Sequence, residues 1–315
     1  MKIAILDDYQ QFALRMADWS AVQARADVTV FDRNLAPAEA AEILAPFDVL
    51  CLMRERMKMP GELIRALPNL KLICNTGQRN LSLDVATAKE LGITVCYTGK
   101  HATGTYATPE LAWALMQSIV RHLPIEERNM RAGRWQTTIG RELHGKTLGL
   151  LGFGRIGRRM AEYARAFGMN VLAWSQNLTP EAAAAGGATW VEREELFARS
   201  DVVSIHLVLS PRTTGLVGAR EFSLMQPTAY LVNTSRGPIV DEAAMLDALR
   251  SRRIAGAALD VFDIEPLPAD HPLRGLDNVL LSPHLGYVVE EGFRDFYRDT
   301  VENILAFLDG APIRQ

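Results

Sequence analysis

Short β-branched runs alternate with longer amphipathic stretches along all 315 residues. This is the pattern of parallel sheets whose strands are joined by crossover helices. In the first third the strand-like runs are Lys2–Asp7, Val28–Phe31, Asp48–Met53, Leu70–Asn75 and Thr94–Tyr97. Helical stretches lie between them, including Pro37–Leu44, with proline in its first turn, and Leu83–Leu91, closed by Gly92. These five units predict one doubly wound domain.

A second series begins after a helical segment near Pro109–Leu123. Its predicted strands are Thr147–Leu151, Asn170–Trp174, Val202–Leu207, Tyr230–Thr234, Gly256–Val261 and Val279–Ser282. Six strands, each followed by a helix or loop, match the dinucleotide-binding form of the fold. The last stretch, Glu290–Leu308, carries Phe293, Phe296, Tyr297, Val301, Ile304, Leu305 and Leu308 at helical spacing. It follows the sixth strand, so it can cross back onto the first domain. The expected fold class is therefore α/β, with two doubly wound parallel-sheet domains. The substrate domain, flavodoxin-like, takes residues 1–99 plus 286–315; a Rossmann dinucleotide-binding domain, residues 100–285, is inserted in it.

Composition narrows the partners. The chain is 48% hydrophobic and holds 34 basic against 37 acidic side chains, a net charge of -3. That balance gives no electrostatic reason to expect nucleic acid or an anionic membrane as partner. No apolar run approaches the ~20 residues needed to cross a bilayer, and the first residues are not a signal peptide. A cytoplasmic address is expected. Cys51, Cys74 and Cys96 are far apart, with no Cys-x-x-Cys and no nearby histidine pair, so no metal site is expected. Each sits in an apolar run and reads as a buried strand cysteine.

Gly152-Phe153-Gly154-Arg155-Ile156-Gly157 follows the apolar strand Leu148–Leu151 and opens a helix expected over Arg158–Phe167. Such a turn cradles a pyrophosphate. Gly152 permits the tight turn, Gly154 admits close backbone approach, and Gly157 lets helix pack on strand. The helix N-terminus supplies oriented N–H groups and partial positive charge. The second strand ends Trp174-Ser175-Gln176-Asn177, without the acid that usually meets the ribose of NAD. No arginine for the extra phosphate of NADP is close either, the next basic residue being Arg193. Ser175 can hydrogen-bond either cofactor. The reading is NAD, with NADP left open.

In open α/β sheets reactive groups gather at the carboxyl ends of strands. Those ends here carry His206, then Thr234 and Arg236, then Asp260 and Glu265, then His284. Hydride transfer to a carbonyl needs a proton donor near neutral pH, which histidine beside a carboxylate supplies. It also needs a cation for an anionic substrate, and the planar fork of arginine matches a carboxylate. His284, Glu265 and Arg236 meet these needs at successive strand ends. His101, His122, His144 and His271 lie in loops or helices without such company.

Residues 145–286 resemble the D-isomer-specific 2-hydroxyacid dehydrogenases. The motifs that carry the resemblance are Gly145-Lys146-Thr147-Leu148-Gly149 running into the glycine turn, Asn233-Thr234-Ser235-Arg236-Gly237, Leu259-Asp260-Val261-Phe262 with Glu265-Pro266, and Ser282-Pro283-His284-Leu285-Gly286. The resemblance implies that His284 is the general acid/base, that Glu265 orients it, and that Arg236 binds the substrate carboxylate. It implies that Asp260 holds the nicotinamide carboxamide and that the segment from His206 to Thr213 lines the cofactor, with Val208 where the family usually has proline. Formate dehydrogenases, which are related, carry glutamine at the position of Glu265, so formate oxidation is disfavoured.

In the first domain, Asn75-Thr76-Gly77-Gln78-Arg79-Asn80 stands where the family has a glycine-rich carboxylate-binding loop. Backbone N–H groups at Thr76 and Gly77 could receive a carboxylate. Arg54 resembles the family's substrate-facing arginine; an exposed loop cation is the other reading. The implied function is interconversion of a D-2-hydroxy acid and its 2-keto acid, the substrate being a small molecule. A homodimer through roughly Lys100–His144 is expected from the family. An NAD(H)-sensing, corepressor-like binding protein with little turnover stays open as a second class.

Overall fold

The computed structural model describes residues 1–102, 104–311 and 314. Met1–Thr105 with Val288–Gln315 form one compact unit and Tyr106–Tyr287 a second. Thr103, inside the segment expected to dimerise, lies outside the described residues, as do residues 312, 313 and 315.

The first unit is built on β1 (Lys2–Ile5), β2 (Asp27–Val30), β3 (Val49–Leu52), β4 (Leu72–Asn75) and β5 (Thr94–Tyr97). All pairings are parallel and the order is β2-β1-β3-β4-β5. β3 and β4 are buried at every position, as expected of strands covered on both faces. Leu50, Leu52 and Ile73 face one apolar cluster with Leu44, Met59 and Ile64. Cys51, Cys74 and Cys96 point to the other face, in register across three strands and buried. The Cys74 and Cys96 sulfurs lie 3.3 Å apart.

The helix Glu290–Leu308 packs on this unit: Tyr297 lies 6.3 Å from the Trp19 ring, and Asn303 Nδ2 donates to the Tyr97 carbonyl. Asp299, 1% exposed, accepts from the Gly99 N–H at 2.6 Å and pairs with His101 at 2.7 Å. Burial opposes its ionisation. The hydrogen bonds from His101 and Gly99, with the Arg314 charge, nonetheless hold its carboxyl below the ordinary range.

The second unit is built on β6 (Thr147–Leu151), β7 (Asn170–Trp174), β8 (Thr189–Trp190), β9 (Val202–Ile205), β10 (Tyr230–Asn233), β11 (Gly256–Leu259) and β12 (Val279–Leu281). The parallel order is β12-β11-β10-β9-β6-β7-β8. The order in which the chain adds its strands reverses between β6 and β9, the topological switch point where such sheets take their ligands. All six expected strands are present, each up to two residues shorter at its end. β8 is an addition: two residues long, it carries too little pattern to read.

Two helix boundaries also differ from expectation. The segment read as Pro109–Leu123 is a helix over Ala107–Val120, a left-handed His122 (φ 54°) and a second helix over Leu123–Arg131. Pro124 explains the break, because its ring would clash with the Val120 carbonyl of a continuing helix. The helix after the glycine turn runs Arg155–Ala166, starting three residues earlier than Arg158. A Cβ on Gly157 would lie 2.2 Å from the Gly152 carbonyl oxygen. Glycine at 157 thus lets the first helical turn fold back against the strand end.

Asp299→Asn should destabilise the protein at pH 7 by about 2–3 kcal/mol, the worth of a hydrogen bond to a charged group. Because the folded carboxyl titrates below the unfolded one, the difference from wild type is full above the unfolded pKa. It should shrink as pH falls through the folded value. Urea unfolding at pH 7 and pH 3 checks this; an equal difference at both would reject it.

Candidate active site

At the end of β6, Gly152 takes φ 107° and its N–H donates to the Trp174 carbonyl at 2.8 Å. A Cβ there would lie 2.5 Å from the His206 carbonyl oxygen, so only glycine lets β6 and β9 exit side by side. Gly154 caps the following helix without a side chain, and a Cβ on it would meet nothing within 4 Å. Its face is therefore open to a ligand. The N–H groups of Ile156 and Gly157 have no acceptor among the described residues, as first-turn donors generally do not. Arg155 starts the helix.

Around this cradle two buried polar atoms, His206 Nδ1 and Thr234 Oγ1, lack partners among the described residues. An open glycine face, free helix donors and orphaned polar atoms at the switch point fit a dinucleotide.

Burial pushes the His206 imidazole down to about 3, so it is neutral at physiological pH, with Nε2 2.9 Å from Ser204 Oγ. The loop that follows is stapled by Thr213 Oγ1, which accepts from the Ser210 N–H and lies 2.8 Å from the Val208 carbonyl. Ser175 follows β7, half-buried. The Arg193 guanidinium sits over the neighbouring Trp174 ring at 5.8 Å and 3.4 Å from Glu221.

The ends of β10, β11 and β12 hold the expected reactive groups. Glu265 Oε2 lies 2.6 Å from His284 Nδ1, and its Oε1 accepts from the Phe262 N–H at 2.9 Å. An ionised carboxylate can only accept, so Nδ1 carries the donated proton and Nε2 is the atom left for chemistry. Nε2 has no hydrogen-bond partner among the described residues. Arg236 Nη1 donates to the Ser235 carbonyl, and its own carbonyl accepts from Asn233 Nδ2.

His101 and His271, expected to lack acidic company, have it: Asp299 for the first and Glu242 at 3.1 Å for the second. Both pairings are closed, however. His101 lies between Asp295 and Asp299, and His271 Nδ1 accepts from the Leu273 N–H. Of the three described histidines paired with an acid, His284 keeps its second nitrogen open, at a strand end.

His284 takes φ 54°, a conformation that costs a non-glycine residue about 1–3 kcal/mol. Asp260, 1% exposed, holds the turn that carries it. Its Oδ1 accepts from Ser282 Oγ at 2.5 Å and the Leu285 N–H at 2.7 Å, and its Oδ2 from the Gly286 N–H at 2.9 Å. Burial pushes the Asp260 carboxyl up, against these bonds and the nearby His284. Both oxygens are thus engaged within the protein, and the role visible here is to fasten residues 282–286. Nothing in the sequence pattern announced that role.

In the first unit, the Arg54 N–H donates to Thr76 Oγ1 at 2.8 Å, and its carbonyl accepts from Asn80 Nδ2 at 2.7 Å. A Cβ on Gly77 (φ 87°) would lie 2.5 Å from Arg54 Nη1, so the guanidinium rests on Gly77. Arg54, Thr76 and Gly77 are together. Their expected backbone donors are occupied, though: the Thr76 N–H donates to the Leu52 carbonyl and the Gly77 N–H to Thr98 Oγ1. β4 simply continues its ladder one residue further, and Thr98 completes it. Among the described residues no group of His, Cys, Asp and Glu could hold a metal ion, and no helix is long and apolar enough to cross a membrane.

Residues 113–286 match the family model "D-isomer specific 2-hydroxyacid dehydrogenase, NAD binding domain". The chain is 40% identical over 299 residues to the glyoxylate reductase of Aeropyrum pernix, covering 90% of this chain and 87% of that one. It is 36% identical over 283 residues to the D-3-phosphoglycerate dehydrogenase of Synechocystis, covering 89% of this chain and 50% of that protein. The chain thus spans half the length of that relative. A phosphoglycerate oxidoreductase of Vibrio cholerae O395 superposes with a TM-score of 0.91 at 37% identity, covering 99% of this chain and all of that one. The chain belongs to the D-isomer specific 2-hydroxyacid dehydrogenase family and carries its NAD-binding domain.

Proposed function

We propose that the protein reduces a small 2-keto acid to its D-2-hydroxy acid with NADH, and catalyses the reverse. The observation that carries the reading is the 2.6 Å contact between Glu265 Oε2 and His284 Nδ1, which leaves Nε2 open. The residues assigned to the cofactor are Gly152, Gly154, Arg155, Ile156 and Gly157 for the pyrophosphate, with Ser175, His206, Thr213, Thr234 and Asp260 along the switch point. When bound, the reduced nicotinamide supplies the hydride equivalent.

Everything else falls to the chain's own side chains. Arg236 receives the substrate carboxylate in a bidentate grip and draws electron density from the adjacent carbonyl. His284 Nε2–H gives its proton to the carbonyl oxygen as negative charge develops there. The Glu265 carboxylate stabilises the imidazolium before that transfer and fixes its ring. In the reverse direction neutral His284 takes the hydroxyl proton. His206, half-buried and kept neutral by desolvation of its ring, does not share this task. Arg54 is assigned to the substrate by family likeness, with Thr76 and Gly77, whose own N–H groups are taken up within the unit, seating it; residues 1–99 plus 286–315 are the substrate domain and 100–285 the cofactor domain.

We also read the segment of roughly Lys100–His144 as a homodimer surface, supported by Trp135 at 72% and Ile139 at 93% exposure within it. A Trp135→Asp, Ile139→Asp double variant should sediment as a monomer where the wild type sediments as a dimer; unchanged sedimentation would end that reading.

The test of function follows NADH and NADPH consumption with glyoxylate, hydroxypyruvate, pyruvate, longer 2-keto acids and 3-phosphohydroxypyruvate. Turnover with at least one is expected. His284→Ala should lower it by about 10²–10⁴, the usual share of acid–base catalysis, with NADH affinity kept. Tight NADH binding without turnover of any substrate would instead favour a cofactor-sensing binding protein. Asp260→Asn places an amide nitrogen against N–H donors and should loosen the His284 turn. We expect kcat to fall about 10²-fold, the scale of a ~1 Å misplacement. Wild-type kcat in that variant would show that the turn holds without Asp260.

A further inference from the structure

Gly186 stands 34 positions after Gly152 in the sequence, outside the glycine motif and in the alanine-rich patch Glu181–Ala188. It ends the helix Pro180–Ala185 with φ -91° and ψ 3°, a conformation open to any residue. The left-handed position that commonly demands glycine after a helix falls to Gly187, at φ 78°. Backbone geometry therefore does not require glycine at 186.

Space does. A Cβ on Gly186 would lie 2.5 Å from Phe153 Cε1, 2.8 Å from Phe153 Cζ and 2.8 Å from Arg158 Nη1. Phe153 is the residue between Gly152 and Gly154, 5% exposed, and the Arg158 guanidinium lies 5.1 Å from its ring centroid. The ring is thus wedged between the first turn of one helix and the bare Cα of Gly186. A rigid aromatic ring cannot bend away as the end of a flexible chain can. Its displacement must be taken up at the Phe153 backbone, between the two glycines whose geometry shapes the open turn.

We propose that Gly186 is a positioning residue for dinucleotide binding: its missing side chain seats Phe153 and thereby sets the conformation of the Gly152–Gly154 turn. The inference rests on the glycine turn being the cofactor site. Gly186 touches no ligand, and it acts only through the Phe153 ring. Shortening that ring should consequently cancel the effect of adding a methyl group at 186.

The experiment titrates the full-length protein with NADH, following fluorescence, and records thermal unfolding of each variant without cofactor. Gly186→Ala should raise the NADH Kd by about 5- to 100-fold, the scale of overpacking a tight contact. Phe153→Leu alone, whose shorter side chain clears position 186, supplies the reference Kd that the double variant should match. The Gly186→Ala, Phe153→Leu double variant should recover most of the lost affinity. A Gly186→Ala Kd equal to wild type overturns the proposal. So does a double variant as weak as Gly186→Ala, which would place the defect outside the Phe153 contact. If Gly186→Ala fails to fold, a folded double variant that binds NADH supports the contact, and a double variant that also fails to fold or to bind overturns it. Absence of NADH binding by the wild type would defeat the cofactor reading itself, an outcome separate from all of these.

Discussion

The reactive end of the second unit hangs on one buried carboxylate. Asp260 is the first residue after β11, and it grips the 282–286 turn through three donors, Ser282 Oγ and the N–H groups of Leu285 and Gly286. Burying a carboxylate costs several kcal/mol, and the three hydrogen bonds offset only part of that cost, since burial still leaves the Asp260 carboxyl above its ordinary range. The same bonds hold His284 in its left-handed conformation, which an unsupported turn would abandon. Glu265 can then meet the imidazole from the β11 side. Remove the grip, and the His284 turn loses its tie to the strand on which Glu265 depends.

Environment, more than residue type, separates the histidines. His206 and His284 both follow strands of one sheet. Burial with only Ser204 for company keeps the first neutral, whereas a carboxylate at 2.6 Å and an open second nitrogen fit the second for proton transfer. His101 and His271 show that an acidic neighbour is not sufficient. Their rings are used on both sides, tying segments together instead of meeting a ligand. His284 is distinguished by a ring fixed on one side by a carboxylate and vacant on a half-exposed other side, whereas the vacant nitrogen of His206 is buried and has no acid beside it.

Much of this was legible in the sequence because the signals are local. Buried parallel strands are continuous apolar runs, the glycine turn lies between a strand and a helix, and Arg236, Glu265 and His284 each follow a strand by a few residues. What escaped depends on partners distant along the chain. Asp299 reaches His101 across 198 positions, and Thr98 occupies the Gly77 N–H across 21. The Asp260 grip spans 22 to 26 positions. Strand β8 escaped for the opposite reason, since two residues show no alternation. The break at His122 was readable: Pro124 stood in plain view, and its clash four residues back sets the end of the first helix.

A net charge of -3 is compatible with the anion-binding edge proposed for the second sheet because parallel sheets sort charge by position. Within the second sheet every strand leaves at the same end, and the glycine turn, Arg236 and His284 all follow carboxyl ends there. The following helices begin there, so their N–H groups and partial positive charge add to the same edge. Acids at that edge are then spent inward, Asp260 on backbone donors and Glu265 on Phe262 and His284, and project little charge toward an incoming anion. The topology needs only a few cations to finish such an edge. It leaves the remaining acids to be balanced elsewhere, as in the surface pairs Arg25–Asp309 and Arg65–Glu90.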